Sequence, residues 1–219
     1  MMRRGLPRGG LTGSRLWMLA DFAAQQGTWW FAVILVRLGH PEIAWLGASA
    51  TVLGHLAIGP VARAKTAGLA LFAAGLGFGV DTLLIGIGVL DFPSARLASS
   101  PDLVATMSVS PAWMVGLWAA FGVSLLNSLA KLTAKPLWVV GLLGGLAGVV
   151  AYRAGEAMDV LTIELGVAGH LAVCCAWALA LVALALAARW LSFDRVRLGG
   201  SRGEVITGVG VSEDAHGGI

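Results

Sequence analysis

The sequence predicts an all-α membrane protein, a bundle of six transmembrane helices with both termini in the cytoplasm. Of its 219 residues, 58% are hydrophobic and 12% are charged, and the mean hydropathy is +0.83. These values exclude an ordinary soluble domain. The apolar residues form runs of about 20 residues, the length that a helix needs to cross the hydrocarbon core. The connections between the runs alternate between rich and poor in Lys and Arg, as successive crossings require.

Six apolar runs are predicted to cross the bilayer, and together they form one transmembrane domain over residues 16–192. The runs lie at residues 16–36, 43–62, 66–90, 112–132, 136–152 and 167–191. The first run is not a cleaved signal peptide by this interpretation, because Asp21, Gln25 and Gln26 interrupt it. A basic N-terminal segment (1–15) precedes the domain. The tail at 193–219 is rich in glycine and polar residues and is predicted to be disordered.

The orientation follows from the basic residues, because cytoplasmic connections retain positive charge. Twelve of the 15 Lys and Arg residues lie in the N-terminal segment, in or beside the second and fourth connections, and in or just before the tail. The other three are Arg37, Arg96 and Arg153. Both termini are therefore expected in the cytoplasm.

Two features lie on the predicted outer side. The connection at 91–111 is interpreted as a surface loop, with a lid over an external cavity as the alternative. Tyr152, Arg153, Glu156 and Asp159 follow the fifth run and are interpreted as an interface anchor, with an outer gate as the alternative.

Small residues at four-residue spacing predict where helices pack, because close backbone approach holds membrane helices together. Stripes of this kind lie in the fourth and fifth runs. The positions are Gly116, Ala120, Ser124, Ser128, Gly141, Gly144, Gly145 and Gly148.

Polar groups within the runs are costly against lipid and should face the protein interior. The candidates for a ligand-binding or proton-coupling site are Asp21, Gln25, His55, Asp81, Asn127 and Lys131. Their estimated depths and helix faces predict one cluster between the first four runs, opening to the cytoplasm past Lys131. Interhelical hydrogen bonding, a substrate or ion site, and a catalytic site all remain open as its role.

Asp81 is the strongest single candidate for a functional residue, because no Lys or Arg lies at its predicted depth in the membrane. A protonated or amide-paired carboxyl group is expected, suited to proton coupling or to general acid catalysis. The structural alternative is a hydrogen bond to Gln25 or His55.

Other function classes are disfavoured. Basic residues do not form a face with interleaved aromatics, so nucleic acid is not an expected partner. Cys174 and Cys175 are adjacent, and His170 with Cys174 gives two ligands only, so neither a disulfide framework nor a metal site is predicted. Nucleotide-binding, serine-hydrolase, zincin and histidine-box motifs are missing from the sequence, and no cofactor is expected.

Four ordered segments resemble the bacterial domain of unknown function 2878 family. They are residues 81–93 (DTLLIGIGVLDFP), 111–118 (PAWMVGLW), 124–129 (SLLNSL) and 144–155 (GGLAGVVAYRAG). The resemblance implies a small bacterial inner-membrane protein without an assigned activity. It also implies an association with enzymes that modify membrane fatty acids, which favours membrane lipids, and such enzymes, as partners.

Three functional hypotheses follow. The first is a non-enzymatic membrane protein that binds or moves a small or lipid-like ligand, and it predicts a cavity that reaches one aqueous side. The second is a membrane-embedded enzyme acting on acyl chains, with Asp81 or His55 exchanging protons. It predicts a pocket open sideways to lipid, with two titratable groups in hydrogen-bond reach. The third is a scaffold for such enzymes and predicts neither feature.

Overall fold

The computed structural model describes residues 10–93 and 109–199, with side chains from 15 to 93 and from 109 to 192. Over these residues the chain forms seven helices and one two-stranded sheet. The helices are α1 (Gly10–Arg37), α2 (Pro41–Ile58), α3 (Arg63–Gly86), α4 (Ala112–Ser124), α5 (Ala130–Thr133), α6 (Leu137–Ala157) and α7 (Gly166–Gly199). The strands are β1 (Leu90–Asp91) and β2 (Thr162–Ile163).

Helix α4 is the centre of the bundle and packs against α1, α2 and α3. Helices α6 and α7 form a closely packed pair. This pair contacts the rest of the bundle mainly where α7 packs against α3. Among the described residues, α3, α6 and the Gly166–Ser192 part of α7 are long and apolar enough to cross a membrane. The shorter α4 is apolar throughout and largely buried.

The two strands close one end of the bundle. After α3, Gly88 takes a left-handed conformation (φ 72°) that turns the chain into β1. Leu90 pairs with Ile163 and Asp91 with Thr162 in antiparallel register. A small apolar core underlies this sheet, so the end of the bundle is covered. Its buried side chains are Val89, Leu90, Phe92, Trp113, Val160, Leu161 and Ile163.

The predicted fourth span (112–132) is not one continuous helix. Helix α4 ends at Ser124, and the amides of Leu125, Leu126 and Asn127 donate to carbonyls three residues earlier. The side-chain amide of Asn127 donates to the Val123 carbonyl at 2.9 Å. The carbonyls that a longer helix would use are therefore satisfied in a turn, and α5 follows as a separate short helix.

Further boundaries differ from the predicted ones: α1 begins at Gly10 rather than at residue 16, and α2 ends at Ile58 rather than at residue 62. The third run was expected to be helical to residue 90, but α3 ends at Gly86 and residues 90–91 form β1. Helix α6 continues five residues past Tyr152, to Ala157. Helix α7 continues to Gly199, so residues 193–199 are helical rather than disordered. The rest of the predicted tail, the N-terminal nine residues and most of the 91–111 connection lie outside the described residues.

Candidate functional site: two buried carboxylates beside an aromatic cleft

Asp81 on α3 is held by three neutral hydrogen-bond donors. Its carboxyl group is 0% exposed. The Tyr152 hydroxyl donates to Oδ1 at 2.5 Å, and Trp118 Nε1 donates to Oδ2 at 2.9 Å. The Ser110 hydroxyl donates to Oδ2 at 3.4 Å. The donors come from α6, from α4 and from the segment before α4, so this one carboxyl group ties three parts of the chain together.

Two glycines make room for the aromatic side chains around Asp81. An ideal Cβ at Gly77 would lie 1.9 Å from Trp118 Cγ, and one at Gly148 would lie 2.1 Å from Trp177 Cγ. The two indoles stack with centroids 4.4 Å apart. Tyr152 meets the edge of Trp177 at 5.8 Å. The indole that binds Asp81 thus packs against Gly77 and against the Trp177 ring.

The partners of Asp81 differ from those expected. Neither Gln25 nor His55 bonds to it, and no amide does; a phenol, an indole and a hydroxyl take that role. Tyr152 was also misplaced by the sequence interpretation, since it is 2% exposed and is not part of an interface anchor. Arg153 and Glu156 do form an ion pair nearer the surface.

Asp21 on α1 forms a second group with a histidine. Asp21 Oδ1 lies 2.7 Å from His55 Nε2 on α2 and accepts from the Ser124 hydroxyl at 3.3 Å. Oδ2 accepts from the backbone N–H of Ser128 at 2.8 Å. A backbone N–H in the turn after α4, that of Ser128, therefore binds the carboxyl group on α1.

One proton is shared within the Asp21–His55 pair. His55 Nδ1 lies 2.8 Å from the Thr51 carbonyl oxygen. A carbonyl only accepts, so Nδ1 holds a proton. The short contact at Nε2 then requires one more proton, on the imidazole or on the carboxyl group. In both arrangements the pair has no net charge.

The remaining candidates lie around this second group or outside it. Asn127 Oδ1 accepts from Trp17 Nε1 at 3.3 Å, and the Trp17 ring packs edge-on against His55. Gln25 lies one turn after Asp21. Lys131 is exposed and does not join either group. The single cluster expected from the sequence is therefore two separate groups, which share no hydrogen bond among the described residues.

A cleft of about 420 Å³ runs beside both groups, a volume in the range of small-molecule sites. Helices α1 and α6 form its walls and α4 its floor. Along α1 it extends from Phe22 to Val33, about 16 Å at the rise of a helix. The aromatic lining residues are Phe22, Trp29, Trp30, Trp113, Trp118, Phe121, Tyr152 and Trp177. The lining is thus mainly apolar and rich in aromatic side chains.

The mouth of the cleft opens along the side of the bundle. Phe22 and Trp30 on α1 and Val150 on α6 line it and are each more than half exposed. At the sheet end, Val160 and Leu161 line it and are buried, so they close that end. A ligand would therefore enter between α1 and α6.

Three buried polar atoms in the lining residues have no hydrogen-bond partner of normal geometry within the protein: Gln25 Oε1, Ser128 Oγ and Trp177 Nε1. No Lys, Arg, His, Asp or Glu lines the cleft among the described residues. Its polarity is thus limited to neutral groups capable of hydrogen bonding.

The predicted small-residue positions lie at helix contacts or near them. Gly141, Gly144, Gly145 and Gly148 all face α7, with Gly145 against Cys174. Gly116 lies against Ala48 of α2, at 3.0 Å for an ideal Cβ. Ala120 and Ser124 are buried in α4, whereas Ser128 lies past its end, at the cleft.

The described residues hold no group of three side chains that could bind a metal ion. His170 Nδ1 instead lies 2.6 Å from the Gly166 carbonyl oxygen of its own helix.

The chain is thus a helical protein in which three described helices are long and apolar enough to cross a membrane. The chain belongs to the family described as "Protein of unknown function (DUF2878)", which matches residues 18–183. Neither a curated protein nor a solved structure matches it.

Proposed function

We propose that the chain crosses the bacterial cytoplasmic membrane six times, with both termini in the cytoplasm. Three helices meet the length and composition of a span, and α1 and α2 add outward apolar faces. Phe31 and Ile34 on α1, and Leu46 and Leu53 on α2, are each more than two fifths exposed, as lipid-facing residues would be. The resemblance to small bacterial inner-membrane proteins supports the compartment.

The orientation rests on the charges at the two ends of the bundle. One end gathers basic residues: Arg15, Arg63, Lys65, Lys131, Lys135 and Arg189. Arg189 donates to the carbonyls of Thr133 and Lys135, and Lys65 to that of Leu191, which brings these chain segments together. The sheet end holds Arg37 and Arg153 among acidic residues: Glu42, Asp91, Glu156, Asp159 and Glu164. The basic end is the cytoplasmic one in this proposal.

The function that the site supports best is binding of a lipid-like ligand in the aromatic cleft. The observation that supports it is the cleft itself, which is apolar and holds unpaired polar atoms. The cleft opens along the side of the bundle, the feature expected for the enzyme hypothesis, rather than to one aqueous side. In a membrane, that opening would admit a ligand directly from the lipid phase. A pure scaffold has no need of such a cleft. Membrane lipids are therefore the proposed partners, and lipid-modifying enzymes the proposed protein partners.

A membrane-embedded enzyme is the second candidate, favoured by one contact. Tyr152 lines the cleft and donates to Asp81 at 2.5 Å. Two titratable groups in hydrogen-bond reach beside a lateral pocket could pass a proton to or from a bound acyl chain.

The binding proposal is tested by filling the cleft. Ala147 and Ala151 line it on α6, so Ala147→Leu with Ala151→Leu would occupy its volume. Ala23→Leu, on an exposed face of α1 outside the cleft, is the matched control. Mass spectrometry of detergent-purified protein should find a retained lipid-like molecule with wild type and with the control, and much less with the filled variant. Equal retention by all three proteins would overturn the proposal.

A further inference from the structure

We infer that the cleft selects an uncharged amphiphile with a hydroxyl group, and that Gln25 and Ser128 bind the hydroxyl. This inference rests on the proposed binding function and specifies its ligand. It follows from the charge, the unpaired atoms and the shape of the cleft.

The charge of the lining excludes an anionic headgroup. No basic side chain lines the cleft among the described residues, so a phosphate or carboxylate inside it would have no counter-ion. An unpaired charge removed from water costs far more than a neutral polar group does. A neutral ligand is therefore strongly favoured.

The unpaired atoms specify what the neutral group must do. Gln25 Oε1 only accepts a hydrogen bond, so the ligand must donate. Ser128 Oγ can donate, so the ligand can also accept there. A hydroxyl group does both, whereas an ether or ester only accepts.

The shape of the cleft places the two ends of the ligand. Gln25 lies near one end of the lining stretch of α1, and Ser128 donates its backbone N–H to Asp21 at that same end. Toward the sheet end the cleft is lined by Trp113, Leu117, Val160 and Leu161. The indole nitrogen of Trp113 is the only polar side-chain atom among these four residues. The hydroxyl group therefore lies beside the Asp21–His55 pair, and the apolar body extends along the tryptophans toward the sheet.

The test uses the tryptophans of the cleft as reporters. Dibromostearyl alcohol, its methyl ether and dibromostearic acid at alkaline pH are titrated into detergent-solubilised protein, and bromine quenching of tryptophan fluorescence is recorded. The alcohol should bind about 2- to 10-fold more tightly than the ether, the value of one neutral hydrogen bond. The ionised acid should bind at least about tenfold more weakly than the alcohol.

Two substitutions assign the preference to the named residues. Gln25→Met removes the acceptor, and Ser128→Ala removes the hydroxyl while keeping the backbone N–H that bonds Asp21. Each should weaken the alcohol about 2- to 10-fold, and Gln25→Met should leave the ether unchanged. Ser49→Ala, on α2 outside the cleft, is the matched control for Ser128→Ala.

The outcomes separate the two proposals. If no probe quenches the wild-type protein more than the Ala147→Leu/Ala151→Leu protein, the binding function itself is overturned. If the probes bind but the ether or the acid matches the alcohol, the cleft binds lipid-like ligands and the hydroxyl assignment is wrong. The probe series on wild-type protein gives this answer even if a variant fails to fold.

Discussion

Asp21 lies in the basic half of the bundle beside a histidine, whereas Asp81 lies toward the sheet end among neutral donors. Both are buried, at 2% and 0% exposure. Asp21 shares a proton with His55, and the pair is neutral by itself. Asp81 accepts from a phenol, an indole and a hydroxyl, none of which can neutralise it. A buried carboxyl group can thus be accommodated by a titratable partner or by several hydrogen bonds. Substitutions in the two groups should therefore lower the free energy of unfolding by different amounts.

The largest expected effect comes from removing the acceptor at Asp81. Asp81→Ala leaves Tyr152, Trp118 and Ser110 with buried donors and no acceptor, and each such donor costs about 1–3 kcal/mol. We expect the free energy of unfolding to fall by about 3–5 kcal/mol. The measurement is unfolding in mixed micelles with increasing dodecyl sulfate, followed by tryptophan fluorescence. Glu42→Ala, which removes an exposed carboxylate paired with His40, should cost under about 1 kcal/mol. Similar losses in both proteins would show that the three donors do not stabilise the fold.

The next effect tests the titratable partner of Asp21. His55→Leu removes the group that shares its proton, and we expect a loss of about 2–4 kcal/mol, since breaking a buried pair leaves a charge uncompensated. Adding Asp21→Asn should recover part of that loss, because a neutral amide needs no partner charge. The same unfolding assay on the four proteins of this double-mutant cycle measures the coupling. Additive effects would contradict the shared proton.

A smaller effect is expected from disturbing the support behind Asp81. Gly77→Ala places a methyl group against Trp118, which must shift away from Asp81; we expect a loss of about 1–3 kcal/mol. Gly75→Ala, two residues earlier on α3, meets nothing within 4 Å and should be neutral or slightly stabilising. The difference between the two alanine proteins in the unfolding assay isolates the contact with Trp118. Equal stabilities would mean that the indole relaxes at no cost.

The helical class and the burial of Asp81 could be predicted from sequence for one physical reason. Apolar runs and rare intramembrane charges are local properties, so they are visible without knowing which helices touch. The partners of Asp81 are not local: Trp118 and Tyr152 are 37 and 71 residues away. Depth estimates along separate runs could not find them, since Tyr152 stood at the predicted edge of the membrane.

Gly77 and the end of α4 were missed for a related reason. Gly75 and Gly79 form a four-residue pair, yet they face open space, whereas Gly77 between them contacts Trp118. A contact glycine is defined by the large side chain opposite it rather than by its own spacing. Likewise, Ser124 to Lys131 has helical periodicity, and only the structure shows that the α-helix ends there, where backbone amides bond to carbonyls three residues earlier and the Asn127 side chain bonds to the Val123 carbonyl. That turn separates Ser128 from α4 and delivers its N–H to Asp21.

The smallest stability effect, under about 1 kcal/mol, is expected from Asp81→Asn, which separates hydrogen bonding from charge. Its one carbonyl oxygen can accept from Trp118, and its amide can donate to the Tyr152 oxygen, because a hydroxyl reverses its role. The same unfolding assay should therefore rank this variant near wild type and far above Asp81→Ala. A loss as large as that of Asp81→Ala would instead mean that the ability of Asp81 to ionise holds the three chain segments together. Asp159→Asn, at an exposed position, controls for loss of a carboxylate alone. If Asp81→Asn is stable but no longer retains the lipid-like molecule, proton exchange at Asp81 is needed for ligand binding. Asp81 would then differ in role from Asp21, whose charge is balanced by His55.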